Sequence, residues 1–205
     1  MRADIYILKK FFPTILFNTA EDVHLTFDDG PHPIATPKVL QILKSRNIKA
    51  SFFLLGQNAQ KHPDLVHEIQ AEGHLIGNHS YTHSNLLFKN KNFVRTEIMQ
   101  TKEILEEIIG THSRYFRPPY GYFDYSTLAV LRDLDLTCVL WYIDSKDYKQ
   151  NLQMNIAKRV VRKTQNGSIL LLHDNTETST VINDYLPKIL DILLQKGFIF
   201  KTLPI

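Results

Sequence analysis

Two adjacent carboxylates, two histidines four residues apart and a histidine at the end of an apolar run are the groups in this 205-residue chain best suited to chemistry. The carboxylates are Asp28 and Asp29, within Thr26-Phe27-Asp28-Asp29-Gly30. Neighbouring side chains leaving a strand point in different directions, so one can ligate a metal while the other accepts a proton. Gly30 permits the sharp turn that follows. Taken without the rest, Asp-Asp-Gly reads as a plain turn. His79 and His83 stand at i, i+4, a spacing that puts both on one face of a helical turn and lets them converge on one ion. In a chain with nine histidines such a pair also arises by chance. Asp29, His79 and His83 together offer two imidazoles and a carboxylate. That is three protein ligands with positions left for water or substrate, the pattern of a catalytic divalent site. Zinc is the default on donor type, with cobalt and nickel as alternatives.

Three further segments carry polar groups in suggestive places. In Arg117-Pro118-Pro119-Tyr120-Gly121 the prolines stiffen the backbone, and a rigid loop beside a metal can aim a peptide N–H at a developing oxyanion. The competing reading is an ordinary turn with Arg117 in a surface ion pair. Asp144-Ser145-Lys146-Asp147-Tyr148 supplies carboxylates that read equally as a solvated helix cap. Leu171-Leu172-His173-Asp174 ends an apolar run in a histidine, which by itself is most simply a satisfied structural residue.

The elements that must position these groups alternate along the chain. Strands are expected at 23–27, 51–55, 74–77, 115–117, 136–143, 168–172 and 198–201, seven in all, the sixth apolar enough to be buried on both faces. Helices are expected between them. One starts at Thr36-Pro37, with Thr36 as cap. Others open at Pro63 and end at Gly73, carry Ile98, Thr101, Leu105 and Ile108 and end at Gly110, or cover 126–132, 155–163 and 180–195. Strands alternating with helices mean a parallel α/β protein. Asp28/Asp29, His79, Arg117, Asp144 and His173 each fall at or just past a different strand, and in a barrel all those ends surround one pocket. An open doubly wound sheet would leave some far apart, and no glycine-rich dinucleotide or phosphate loop follows the first strand. The expected fold is a distorted (β/α) barrel of about seven parallel strands.

Composition sets the outer limits. The chain is 43% hydrophobic and 22% charged, ordinary for one globular domain, and its net charge is +3 with no basic block longer than pairs such as Lys9-Lys10. A nucleic-acid face is therefore not expected. The single cysteine, Cys138, excludes an internal disulfide framework and lies in an apolar run, as a buried residue would. Near the start, Ile5-Tyr6-Ile7-Leu8 and Ile15-Leu16-Phe17 are separated by Lys9, Lys10 and Pro13, too early an interruption for a membrane span or a signal pattern. Residues 1–20 are expected to be a packed extension, or the start of a chain already trimmed of a signal, and 21–205 the functional domain.

In this order, the five segments resemble the motifs of the polysaccharide deacetylase family, carbohydrate esterase family 4, with its NodB-type homology domain. The resemblance spans about residues 22–203. It implies a distorted (β/α) barrel and metal-dependent removal of acetyl groups, usually from N-acetylglucosamine in chitin or peptidoglycan. By the resemblance Asp28 is the general base, Asp29, His79 and His83 are the metal ligands, and Arg117 orients the base. Tyr120 supplies the oxyanion N–H, Asp147 tunes the catalytic histidine or the arginine, Leu171 lines the acetyl-methyl pocket, and His173 is the general acid. Tyr148 departs from the tryptophan many members carry there, which bears on substrate fit. Asp29 leans toward the N-acetylglucosamine-type enzymes, since relatives acting on muramic-acid-type residues carry asparagine.

The reaction so implied needs one divalent ion and an acetylated amino-sugar polymer or oligomer, acted on by a monomer outside the cytoplasm. Nucleic acid is not an expected partner, and membrane contact has only weak support. Three other readings use the same residues or discard them: an O-acetyl-xylan esterase, a small-amide hydrolase of the same superfamily, or a non-catalytic carbohydrate-binding module. The last would be expected to have lost a ligand or the base, and every one is present in this chain.

Overall fold

The computed structural model describes residues 15–111, 113–149 and 155–204. Its strands are β1 (Ile15–Leu16), β2 (Val23–Asp28), β3 (Ser51–Leu54), β4 (Leu75–Asn78), β5 (Tyr115–Phe116), β6 (Thr137–Val139), β7 (Ile143–Asp144), β8 (Ile169–His173) and β9 (Phe200–Lys201). The helices are α1 (Ala35–Lys44), α2 (Gly56–Lys61), α3 (Pro63–Ala71), α4 (Lys91–Ile109), α5 (Tyr125–Asp133), α6 (Ile156–Lys163) and α7 (Ile182–Gln195), with a 3-10 turn at Pro119–Gly121. Hydrogen bonding orders the sheet β1-β6-β5-β4-β3-β2-β8-β7, and β9 pairs the start of β2. All these pairings are parallel, so the strand C-termini open on one side of a curled half-barrel.

Period-two alternation decides what faces where. In β2, Val23, Leu25 and Phe27 pack outward into the cluster formed with α1, α3 and α7. The intervening His24, Thr26 and Asp28 turn inward and are buried. In β8, Leu170 and Leu172 join the outer cluster, whereas Ile169 packs inside with Phe53, Val139 and Leu203. The polar inward groups are satisfied. His24 hydrogen-bonds Thr19 Oγ1 at 2.8 Å and the Thr202 carbonyl at 2.9 Å, and Thr26 Oγ1 donates to the Leu170 carbonyl at 2.7 Å. The register pairs Asp28 with His173 across β2 and β8, so these two side chains stand side by side on the inner face.

The expected strand at 136–143 divides. β6 is next to one edge of the sheet and β7 is the other edge, so Leu140–Tyr142 must cross the open side between them. Backbone bonds along the way, Leu140 N–H to the Leu16 carbonyl of β1 and Tyr142 N–H to the Ile169 carbonyl of β8, tie the crossing to both sides. Of the expected extension, residues 1–14 lie outside the described residues, while Ile15 and Leu16 pair with Cys138 and Val139. Cys138 is buried and free.

Thr36 is not the cap of α1. The helix begins one residue earlier, and His32 Nδ1 accepts the Ile34 and Ala35 N–H groups instead. Thr36 is buried within the first turn and donates its hydroxyl to Asp174, so a tertiary partner claims it. α2, absent from the sequence expectation, is a single short element after Gly56 with too few residues to show a period. Gly73 and Gly110 do take the left-handed conformation that closes α3 and α4. No helix among the described residues is long and apolar enough to cross a membrane.

Candidate active site

The mouth of the half-barrel holds a cleft of about 480 Å³. Asp29, His79 and His83 meet at its floor, with one ligand atom from each within 4.8 Å of the others. Asp29 Oδ1 lies 3.5 Å from His79 Nε2 and 3.3 Å from His83 Nε2. His79 Nδ1 donates to the Arg117 carbonyl at 2.7 Å, which assigns the Nε2 lone pair to the cleft. Asp29 Oδ2 accepts from Asn175 Nδ2 at 2.8 Å, while Oδ1 is buried without a hydrogen-bond partner. A buried carboxylate oxygen facing two imidazole nitrogens and bonded to nothing is what a cation site requires. The donor set therefore fits a divalent ion. Burial pushes the Asp29 carboxyl up, but the imidazoles of His79, His173 and His83 around it hold it well below the usual range. Burial and the His79 neighbour lower His83, against Asp29 and Asp28.

The two histidines converge, but not on a helix. Residues 79–83 form an irregular loop in which Ser80 and His83 have positive φ, 67° and 62°. Glu97 of α4 holds it in shape. One carboxylate oxygen accepts the Tyr81 and Thr82 N–H groups at 3.1 and 2.9 Å, and the other accepts the Thr82 hydroxyl at 2.9 Å. Asp29 also has positive φ, 76°, and its carbonyl is held by Asn58 Nδ2 at 2.8 Å. Non-glycine residues in this region persist only where their surroundings fix them.

Asp28 points into the same space beside a buried guanidinium. Arg117 Nη1 donates to Asp28 Oδ1 at 2.6 Å and to Thr26 Oγ1 at 2.8 Å. Its Nε and Nη2 donate to the Val139 and Leu140 carbonyls, and its guanidinium carbon sits over the Phe53 ring, 4.1 Å from the ring centre. The surface ion pair considered for Arg117 is therefore excluded: the residue is fully buried at the centre of the barrel. Asp28 Oδ2, left toward the cleft, is 3.7 Å from His79 Nε2.

Opposite, His173 Nδ1 hydrogen-bonds Asp147 Oδ1 at 2.7 Å, and the His173 N–H donates to Asp147 Oδ2 at 2.9 Å. Tyr185 of α7 donates its hydroxyl to the same Oδ2 at 3.0 Å. Asp147 is thus a buried partner of His173 and not a solvated cap. Asp144 instead closes a local turn, accepting the Lys146 N–H at 2.8 Å. Burial lowers His173, but Asp147 by charge and hydrogen bond, with Asp29 and Asp28 behind it, raises it to about 10. Tyr148 packs edge-on against the His173 ring, centroids 5.2 Å apart.

Tyr120 edges onto His83 with centroids 4.6 Å apart. In its turn, the Gly121 and Tyr122 N–H groups bond the Pro118 and Pro119 carbonyls, and the Tyr120 N–H is not one of those donors. Leu171, Tyr148, Tyr122 and Trp141 complete the walls. Of the ten residues expected at the site, eight line this cleft, and the buried Arg117 and Asp147 stand behind it, bonded to Asp28 and His173. Sequence reasoning missed Asn175, Glu97, Thr26 and Tyr185. A lone carboxylate on the apolar stripe of α4 was the available sign of Glu97; nothing local marks Tyr185, whose contact depends on how α7 packs. Asp174 lies just behind the site, fully buried, its carboxyl pushed well up by burial. A Cβ at Gly30 would come within 2.4 Å of it, which is why glycine follows the two aspartates.

A half-barrel with a hydrolytic set of acids, histidines and an ion-ready triad at its strand C-termini defines a class of hydrolase fold. The chain belongs to the polysaccharide deacetylase family, whose profile matches residues 18–139. It is 41% identical over 189 residues to a peptidoglycan-N-acetylglucosamine deacetylase of Bacillus cereus, covering 92% of this chain and 68% of that protein. It is 37% identical over 153 residues to a chitooligosaccharide deacetylase of Azorhizobium caulinodans, covering 74% and 73%. Its fold superposes with a TM-score of 0.87, at 38% identity over 93% of this chain and 91% of the other, on a peptidoglycan N-acetylglucosamine deacetylase crystallised with an N-oxidanyl-benzamide compound.

Proposed function

We propose that this chain is a metal-dependent N-deacetylase that hydrolyses the acetamide of N-acetylglucosamine residues in a polymer of the peptidoglycan or chitin type. The observation that carries this reading is the unpartnered Asp29 Oδ1 facing His79 and His83, with the Asp28–Arg117 and Asp147–His173 pairs on either side. The names of the relatives and membership of the family support the substrate class. Asp29, His79 and His83 would hold a divalent ion, zinc by donor type with cobalt or nickel able to replace it, and that ion would acidify water and polarise the acetyl carbonyl.

The protein's own groups then have distinct tasks. Arg117, itself held by Thr26, fixes one oxygen of Asp28, so the other takes the proton of the attacking water. The Tyr120 N–H donates to the oxyanion that forms on the acetyl carbon, and Leu171 lies against the methyl group. His173, held at Nδ1 by Asp147 and kept protonated at neutral pH, gives its Nε2 proton to the departing sugar nitrogen. That step matters because an amine anion is a very poor leaving group. Acetate and a free glucosamine unit remain. Residues 21–205 are the catalytic domain in this reading, acting as a monomer, which is supported by one chain supplying every group named. Cell-wall polymer as substrate places the reaction outside the cytoplasm.

Replacing Asp28 by Asn and His173 by Ala, one at a time, tests the assignment through acetate release from N-acetylglucosamine oligomers. Each change should cut kcat by about 100-fold or more. Wild-type rates in both would end the proposal. Chelation should abolish turnover, with zinc, cobalt and nickel compared for its return, and faster release from acetylxylan would move the chain to the esterase reading.

A further inference from the structure

Aromatic side chains continue outward beyond the cleft. Tyr120 contacts His83, and Tyr122 follows with its ring centroid 6.3 Å from that of Tyr120. The backbone beneath them is anchored, since Gly121 lies so close to Trp141 that a Cβ would come within 2.7 Å of the indole. Two residues after Tyr122, Asp124 caps α5 through the Thr127 N–H, and its second oxygen accepts the Phe88 N–H at 2.9 Å. That bond ties the 84–90 loop to the turn carrying Tyr125. Phe88 is 88% exposed and Tyr125 82% exposed, against 52% for Tyr122.

Neither Phe88 nor Tyr125 belongs to the packed core. Phe88 moreover adopts a φ of 60°, the left-handed region that a bulky residue normally avoids. A hydrogen bond thus holds a phenyl ring in water in a disfavoured conformation, with no folding role to explain it. The rings are interspersed with polar residues (Asn85, Lys89, Asp124, Ser126), so they form a narrow track and not a broad apolar patch. A pyranose ring has an apolar C–H face and a hydroxyl rim, and suits isolated rings set among polar groups.

We propose that Tyr122, Tyr125 and Phe88 form a stacking track for saccharide units of the same polymer beyond the unit that reacts. The track rests on the deacetylase reading for the identity of its ligand. It makes the protein selective for chains over short fragments, with the chain leaving the cleft over the start of α5.

The test is calorimetric titration of the full chain with N,N′-diacetylchitobiose and with penta-N-acetylchitopentaose, for wild type and for the double variant Phe88→Ala, Tyr125→Ala. Both side chains are in solvent, so the variant should fold as wild type does. Wild type should bind the pentamer about tenfold more tightly than the dimer, and the variant should lose that gain while its dimer affinity stays unchanged. A wild-type affinity independent of length, or a variant that keeps the full gain, would overturn the track. Acetate release measured on the same samples separates the two claims. Pentamer binding that needs Phe88 and Tyr125 without any release sinks the deacetylase reading alone; release with no effect of the variant sinks the track alone.

Discussion

His173 is the residue on which opposed effects are most evenly matched. Burial favours the neutral imidazole, yet Asp147 beside it, with Asp29 and Asp28 nearby, raises it to about 10 from an ordinary value of 6.5. A general acid must carry its proton, so activity should hold through neutral pH and fall as pH rises through the His173 pKa. A divalent ion at Asp29 adds positive charge nearby and draws that limb below 10. Asp147→Asn removes the strongest raising contact, so the alkaline limb of the kcat–pH profile should move down by at least about one unit. An unmoved limb would mean that His173 is not the acid. The sign for stability is the same. A raised folded pKa contributes stability that is complete below pH 6.5 and lost as pH rises through the folded value. The Asp147 variant should therefore show a smaller loss of Tm between neutral and alkaline pH.

The loop between β4 and α4 shows how an element distant in sequence builds a site. Spacing suggests that His79 and His83 meet on a helical turn, but they meet on an irregular loop held by three hydrogen bonds to Glu97. Glu97 touches no ligand atom of the triad, so its effect on an ion passes through the loop. Glu97→Ala should weaken zinc binding by about 10- to 100-fold, measured by competition with a chelating dye, while far-ultraviolet circular dichroism shows α4 intact. Unchanged affinity would show that the loop keeps its shape without it. At the start of α5, Asp124 joins a helix cap to the Phe88 tether, and Asp124→Ala should lower stability by about 1 kcal/mol in urea titration.

At the scale of the whole molecule, the site is rigid because the sheet that carries it is buried on both faces. Phe52 is fully buried on β3 and stacks on Phe27 of β2 with centroids 5.2 Å apart, directly behind the strand ends that carry Asp28 and Asp29. Phe52→Ala should cost about 3–5 kcal/mol in chemical denaturation, the usual penalty for a cavity of that size. A cost below about 1 kcal/mol would mean the core relaxes around the lost ring.

The amino-acid order alone determined the alternation of strands and helices, the residue types of the site and their placement at strand ends. Those depend on short-range pattern: apolar runs of strand length, prolines that open helices and glycines that close them. The tertiary structure decided the rest. It split the 136–143 run, because that stretch must cross from one edge of the sheet to the other. It took Thr36 from its capping task to pair with Asp174, and turned Arg117 from a surface ion pair to the centre of the barrel. It also recruited Asn175, Glu97 and Tyr185. Each of those outcomes depends on a partner far away in the chain, and a contact between distant segments leaves no periodicity for a sequence to display.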